Sequence, residues 1–174
     1  MEADTMLFED NIIFLILKVM ITCAGTFGMM GSTTKFRCVK EKPISIMIFA
    51  SYFLYVIISS YAIIYFFSYQ HLLRVFLLTI SCPAILLLHN MSDEPFPRLV
   101  FIRATHILVS IYIAGTITLI NTALHGTELS DILMRLLAYL LVILFDFHFM
   151  RRIYLDFITE IRKGWGILSL IPCA

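Results

Sequence analysis

The chain has 174 residues, of which 60% are hydrophobic and 14% charged, with 13 Lys and Arg against 12 Asp and Glu. A soluble domain carries charge on about a quarter of its residues, so this chain has too little polar surface to cover a water-facing globule and needs lipid as a solvent. The formal charge of +1 and the lack of a basic soluble domain leave no place for nucleic acid.

The opening segment carries Glu2, Asp4, Glu9 and Asp10 and no Lys or Arg, the reverse of the basic start of a cleavable signal peptide. A bilayer core about 30 Å thick takes about 20 apolar helical residues per crossing. The first such run covers 11–31 and contains one charge, Lys18. A basic stretch follows, with Lys35, Arg37, Lys40 and Lys42 against Glu41, and then an uncharged run over 44–67. Its β-branched and aromatic side chains would suit a strand in water, but its length predicts a spanning helix. A third run, 72–89, is short and interrupted by Arg74 and Pro83. Asp93, Glu94, Pro95 and Pro97 then predict a polar loop over 90–103. Runs over 104–124 and 132–150, separated by HGTELSD, complete five predicted spans.

Residues 151–163 read RRIYLDFITEIRK, with Ile153, Tyr154, Phe157, Ile158 and Ile161 at helical spacing and charges opposite. That pattern predicts an amphipathic helix at the membrane surface, or an extension of the fifth span. The apolar segment 164–174 reads as the start of a sixth span, too short to cross. The fold expected is therefore an all-α integral membrane protein: one membrane domain, a bundle of about five transmembrane helices, an amphipathic helix and an incomplete sixth span. Lys35, Arg37, Lys40, Lys42, Arg98, Arg103, Arg151, Arg152, Arg162 and Lys163 all fall in segments on one side of this layout. The positive-inside rule makes that side cytoplasmic, puts the N-terminus outside and predicts a multi-pass protein of the cell membrane.

Ionisable groups within spans are costly and are candidates for function. Lys18 can meet an anionic ligand or a carboxylate on another helix; the simpler reading is that its stem snorkels toward the acidic N-terminal segment. Arg135 lies four residues after Asp131, which predicts an ion pair along one helix face. Asp146, His148, Arg151 and Arg152 read as a local structural charge cluster. Small residues recur at steps of four in Ala24, Gly28 and Ser32 and in Ser110, Ala114, Thr118 and Thr122. Packing within one bundle is the favoured reading of these stripes, with a homodimer face as the alternative. Cys23, Cys38, Cys82 and Cys173 are scattered without metal-ligand spacing, so neither a metal nor a cofactor is implied. A thiol nucleophile at Cys82 with His71 as base fails on geometry, since the step of eleven residues from one to the other rises ~16 Å along a helix. No other catalytic constellation is present, and the chain is not expected to be an enzyme by itself.

The stretches PFPRLVFIRATHIL, HGTELSD and RRIYLDFITEIRKGWGILSLIP resemble the N-terminal membrane sensor region of GHKL-type histidine kinases of Gram-positive bacteria, a group that includes peptide-pheromone receptors. The likeness covers 95–172, and the first two spans agree in layout alone. It implies a truncated or split sensor, or a free-standing module of the same architecture, lacking the phosphoacceptor and ATP-binding segments. The function expected is reception of an extracellular peptide or small molecule and its transmission to the cytoplasmic side. Candidate ligand contacts, chosen by depth, are Lys18, Tyr69, His71, Arg74, Asn121 and His125. Candidate transmitting residues are Arg151, Arg152, Asp156, Glu160, Arg162, Lys163 and Trp165. The alternative function is a small transporter or channel, for which Pro83 is the one hint of a broken helix.

Overall fold

A computed structural model describes residues 2–34, 42–92 and 94–152. Every described element is helical: α1 (Glu2–Thr33), α2 (Lys42–Phe66), α3 (Tyr69–Met91), α4 (Phe96–Ala123) and α5 (Glu128–Phe145). A π turn, Asp146–Met150, continues α5. Among the described residues, five helices are long and apolar enough to cross a membrane. The amphipathic and partial-span segments lie outside the described residues beyond Arg152, and with them Asp156, Glu160, Arg162, Lys163 and Trp165.

Local chemistry accounts for the helix ends. At the end of α1 the hydroxyls of Ser32 and Thr33 donate to the carbonyls of Met29 and Met30, and the Thr34 N–H also reaches Met30. These bonds occupy carbonyls that the helix end would otherwise leave without partners. Ser68 caps α3, its side chain accepting from the His71 N–H at 3.2 Å. The segment before the fourth span differs from the sequence expectation. α4 begins at Phe96 rather than after Arg103, with extended Pro95 as its cap and Pro97 in its first turn, where a missing N–H costs nothing. Arg98 pairs with Glu94 four residues away. Arg98 and Arg103, which fall within the polar loop expected over 90–103, are thus helical.

Contacts between helices set their directions. On α1 and α5, Lys18 meets Asp131, Gly25 meets Tyr139 and Gly28 meets Ile143, so residue numbers rise together and the helices run parallel. Between α1 and α4, Thr26 bonds Ser110 at 3.0 Å while Met30 meets Arg103 at 3.6 Å. Between α4 and α5, Arg135 bonds Thr118 and Tyr139 reaches Ser110. Numbers run oppositely in both cases, so α4 is antiparallel to its neighbours. α1 touches α2, α4 and α5 and is the hub of the bundle.

The fifth helix shows how such a bundle is solvated. Its buried face carries Asp131, Arg135 and Tyr139, while Leu133, Leu136, Leu137, Leu140, Leu141 and Leu144 are exposed. Polar inside and leucine outside is the reverse of a soluble helix and fits hydrocarbon as the surrounding medium. Packing is close where small residues permit it. A side chain at Gly25 or Gly28 would collide with Tyr139 or Ile143, so these glycines allow α1 and α5 to approach. The apolar core lies on the other side of α1, where Phe27 meets Phe49, Tyr52 and Phe53 with ring centroids 5.2–6.0 Å apart.

Pro83 does not end the third helix; it breaks its hydrogen-bond ladder. The helix widens into a π turn over Leu77–Ser81 and resumes at Cys82 with Pro83 in the first turn. Proline offers no N–H to the carbonyl four residues before it, that of Thr79. The Tyr55 hydroxyl donates to that carbonyl at 2.9 Å, and the Tyr52 hydroxyl donates to the next one, Ile80, at 2.9 Å. Two tyrosines one turn apart on α2 thereby satisfy backbone acceptors inside a span. Removing either hydroxyl costs about 1–2 kcal/mol, and the buried Tyr52 the more. Thermal unfolding in detergent should therefore rank Tyr52→Phe below Tyr55→Phe, and both below the unmodified chain. Gly25→Leu should unfold earlier still, because overpacking against Tyr139 adds about 1–3 kcal/mol of strain.

Candidate functional site

Toward the end of the bundle that carries the α2–α3 and α4–α5 turns, four charged side chains meet. Lys18 Nζ lies 2.6 Å from Glu128 Oε2 and 3.0 Å from Asp131 Oδ2. The same Oδ2 accepts from Arg135 Nε at 2.9 Å, and Arg135 Nη2 donates to Thr118 Oγ1 at 2.7 Å. One carboxylate oxygen thus serves two cations from two helices, and the guanidinium ties both to α4. The Asp131–Arg135 pair falls where the spacing places it. Lys18 instead turns sideways to α5, not outward along its own helix, and its partners are the carboxylates of a neighbouring span.

Burial divides the cluster. Only 3% of the Asp131 side chain, 8% of Arg135 and 13% of Lys18 is exposed, against 53% of Glu128. Inside, therefore, two cations face one carboxylate, and the balancing charge is Glu128 at the water-accessible edge. The start of α5 favours that arrangement, since Glu128 and Asp131 sit in its first turn, near the positive end of the helix dipole. Thr127 caps this turn by accepting from the Ser130 N–H.

The cluster borders a cavity of about 380 Å³ between α1, α3, α4 and α5. Lys18, Thr22, Thr26, Tyr69, Ser110 and Arg135 supply its polar wall, and Leu73, Phe76, Leu77, Ile107 and Ile111 its apolar wall. Its size lies within the range of about 300–1,000 Å³ usual for small-molecule sites. Of the six residues suggested by depth, the structure brings Lys18 and Tyr69 together at this cavity. His71 is exposed and stacks on Phe67 at 5.0 Å, and Arg74 is exposed and lies outside the lining. Asn121, in the last turn of α4, and His125, in the α4–α5 turn, bind the turn together. The Asn121 carbonyl accepts from Gly126 N–H, its amide donates to the Thr127 carbonyl, and His125 takes a left-handed φ of 51°.

A second charge is buried toward the opposite end. Arg103 is 1% exposed. Its guanidinium lies 5.1 Å from the centroid of the Phe27 ring and 3.6 Å from Met30 Sδ, and its Nε has no hydrogen-bond partner. No carboxylate pairs with it among the described residues. His106, one turn on, is committed to the Ile102 carbonyl at 2.7 Å. Asp146 likewise makes no ion pair among the described residues; in the residues that follow it, Arg151 lies over Phe147 and His148 packs against Phe149. Among the described residues, Asp146, His148, Arg151 and Arg152 form no ion pair with one another.

No protein-family model, curated protein or solved structure matches the chain, so the site is read from its own geometry. Residues that sequence reasoning passed over are Glu128, Thr118 and Arg103. The steps of four in Asp131, Arg135 and Tyr139, set among leucines, are the signal that could have found the α1–α5 seam. Neutralising Asp131 leaves Arg135 buried without a carboxylate and Lys18 with Glu128 alone, whereas neutralising Glu128 removes an exposed partner. Asp131→Asn should cost about 3–5 kcal/mol and Glu128→Gln about 0–1 kcal/mol. Equal losses in chemical denaturation would show that burial does not rank these pairs. At the turn, His125→Gly should be neutral or stabilising by about 1 kcal/mol, because glycine enters left-handed backbone without strain.

Proposed function

We propose that the chain is a signal-receiving membrane module of the two-component sensor type, oriented with its N-terminus outside. A ligand entering at the outer end biases helix packing, and the change emerges at the cytoplasmic end near Arg151 and Arg152. The observation that carries this reading is the continuity of the α1–α5 seam. It begins at the ion cluster beside the cavity and continues through Gly25–Tyr139 and Gly28–Ile143 toward the other end. A ligand can shift such a seam only if it binds two packing states with different affinity. An ion cluster whose outer carboxylate is exposed and whose inner one is buried offers that difference.

A transporter is the second reading, favoured by one feature, the π-interrupted α3 at Pro83. Its freed carbonyls are already occupied by Tyr52 and Tyr55, which fits a structural break better than an ion-coordinating one.

Hydrogen exchange on the purified chain in nanodiscs, paired with ion flux in proteoliposomes, separates the two. For a sensor, Asp131→Asn speeds exchange at the outer end and also around Phe145 and Met29, far along the seam, while the liposomes stay tight. Faster exchange confined to the first turn of α5 would remove the basis for transmission. Flux through the unmodified chain would put the transporter reading first.

A further inference from the structure

We propose that the cavity beside the ion cluster binds a single-chain amphiphile with an anionic head group, and that Glu128 holds the head-group position until the ligand arrives. The inference rests on reading this cavity as the receiving site.

Charge supplies the first argument. The buried part of the cluster, Lys18, Arg135 and Asp131, carries one positive charge in excess, and Glu128 neutralises it through Lys18, which lines the cavity. Glu128 is held by Lys18 alone among these groups and is half exposed, so its carboxylate can swing into water at little cost. Asp131 cannot, since it is buried and shared between both cations. Displacement of Glu128 leaves one vacancy for one anion against Lys18 Nζ, in a medium where such a pair is stronger than in water. A carboxylate or phosphate meets that requirement; a neutral or cationic head does not.

Shape supplies the second. Lys18 and Arg135 stand with Tyr69 in the cavity wall, and Leu73, Phe76, Leu77, Ile107 and Ile111 continue it as an apolar surface. The Tyr69 side chain is half-buried at the same wall, a donor available to the head group. A charged group beside an apolar lining suits a molecule with a charged end and a hydrocarbon tail.

The test uses the full chain in nanodiscs of phosphatidylcholine, labelled with a diazirine-bearing sixteen-carbon carboxylic acid and, separately, with the matching alcohol. The acid should label α1, α3 or α4 at the cavity, oleate should compete, and the alcohol should label at least tenfold less. Lys18→Met should reduce acid labelling by about tenfold. Glu128→Gln, an exposed change that spares the fold, should raise it several-fold by removing the competing carboxylate. Competition by lysophosphatidylglycerol, a single-chain membrane lipid, added to the disc would identify a lipid as the source of the same head-group chemistry; its absence would point to a free acid. Equal labelling by acid and alcohol, or acid labelling unchanged or weakened by Glu128→Gln, overturns the proposal. Binding with these signatures but no change in exchange along the seam would count against the signalling reading alone.

Discussion

The bundle depends on one carboxylate. Asp131 Oδ2 holds Lys18 of α1 and Arg135 of α5 at 3.0 and 2.9 Å, and Arg135 extends the link to Thr118 of α4. Apolar helices in lipid have little preference for one vertical offset over another, since sliding exchanges hydrocarbon for hydrocarbon. Buried charges remove that freedom: a slip of one turn would leave Lys18 and Asp131 apart in a medium that solvates neither. The register so chosen places Gly25 under Tyr139 and Gly28 under Ile143, and close packing then follows along the seam. Specific electrostatics selects the alignment, and small residues make it tight.

The other half of the bundle is organised by hydrogen bonds and aromatic packing. Pro83 withdraws a donor from the middle of α3, and the π turn before it widens the backbone. Tyr52 and Tyr55 fill the gap from α2, and Tyr52 also packs against Phe27 of the hub helix. α3 is therefore fixed to α2 by polar contacts at its break and to α1 through shared aromatic neighbours. The cavity lies where this half meets the ion-paired half, bounded on one side by Leu73, Phe76 and Leu77 and on another by Arg135.

The number and kind of long helices were legible because lipid-spanning length and apolarity need no partner to be recognised. Arg135 and Asp131 were also legible, being neighbours on one helix. What sequence could not give were relations between helices. Lys18 has carboxylates nearby in sequence, so outward snorkelling looked simpler than a contact with residues 128 and 131. Arg103 looked like the end of a loop because Asp93, Glu94, Pro95 and Pro97, a few residues before it, are residues that usually mark one. Here Pro95 and Pro97 start a helix instead, and aromatic and sulfur contacts take the place of water around the guanidinium. His125 and Asn121 were singled out by depth, while their geometry is that of a tight turn.

The parallel pairing of the first and last described helices has a consequence for biosynthesis. Lys18 emerges from the ribosome early, and the carboxylates that neutralise it emerge more than a hundred residues later. Until α5 arrives, a nascent chain in the membrane carries an uncompensated ammonium on its central helix. The arrival of α5 and the neutralisation of Lys18 are thus the same event, and a nascent chain that has not yet reached α5 is marked by its own exposed charge.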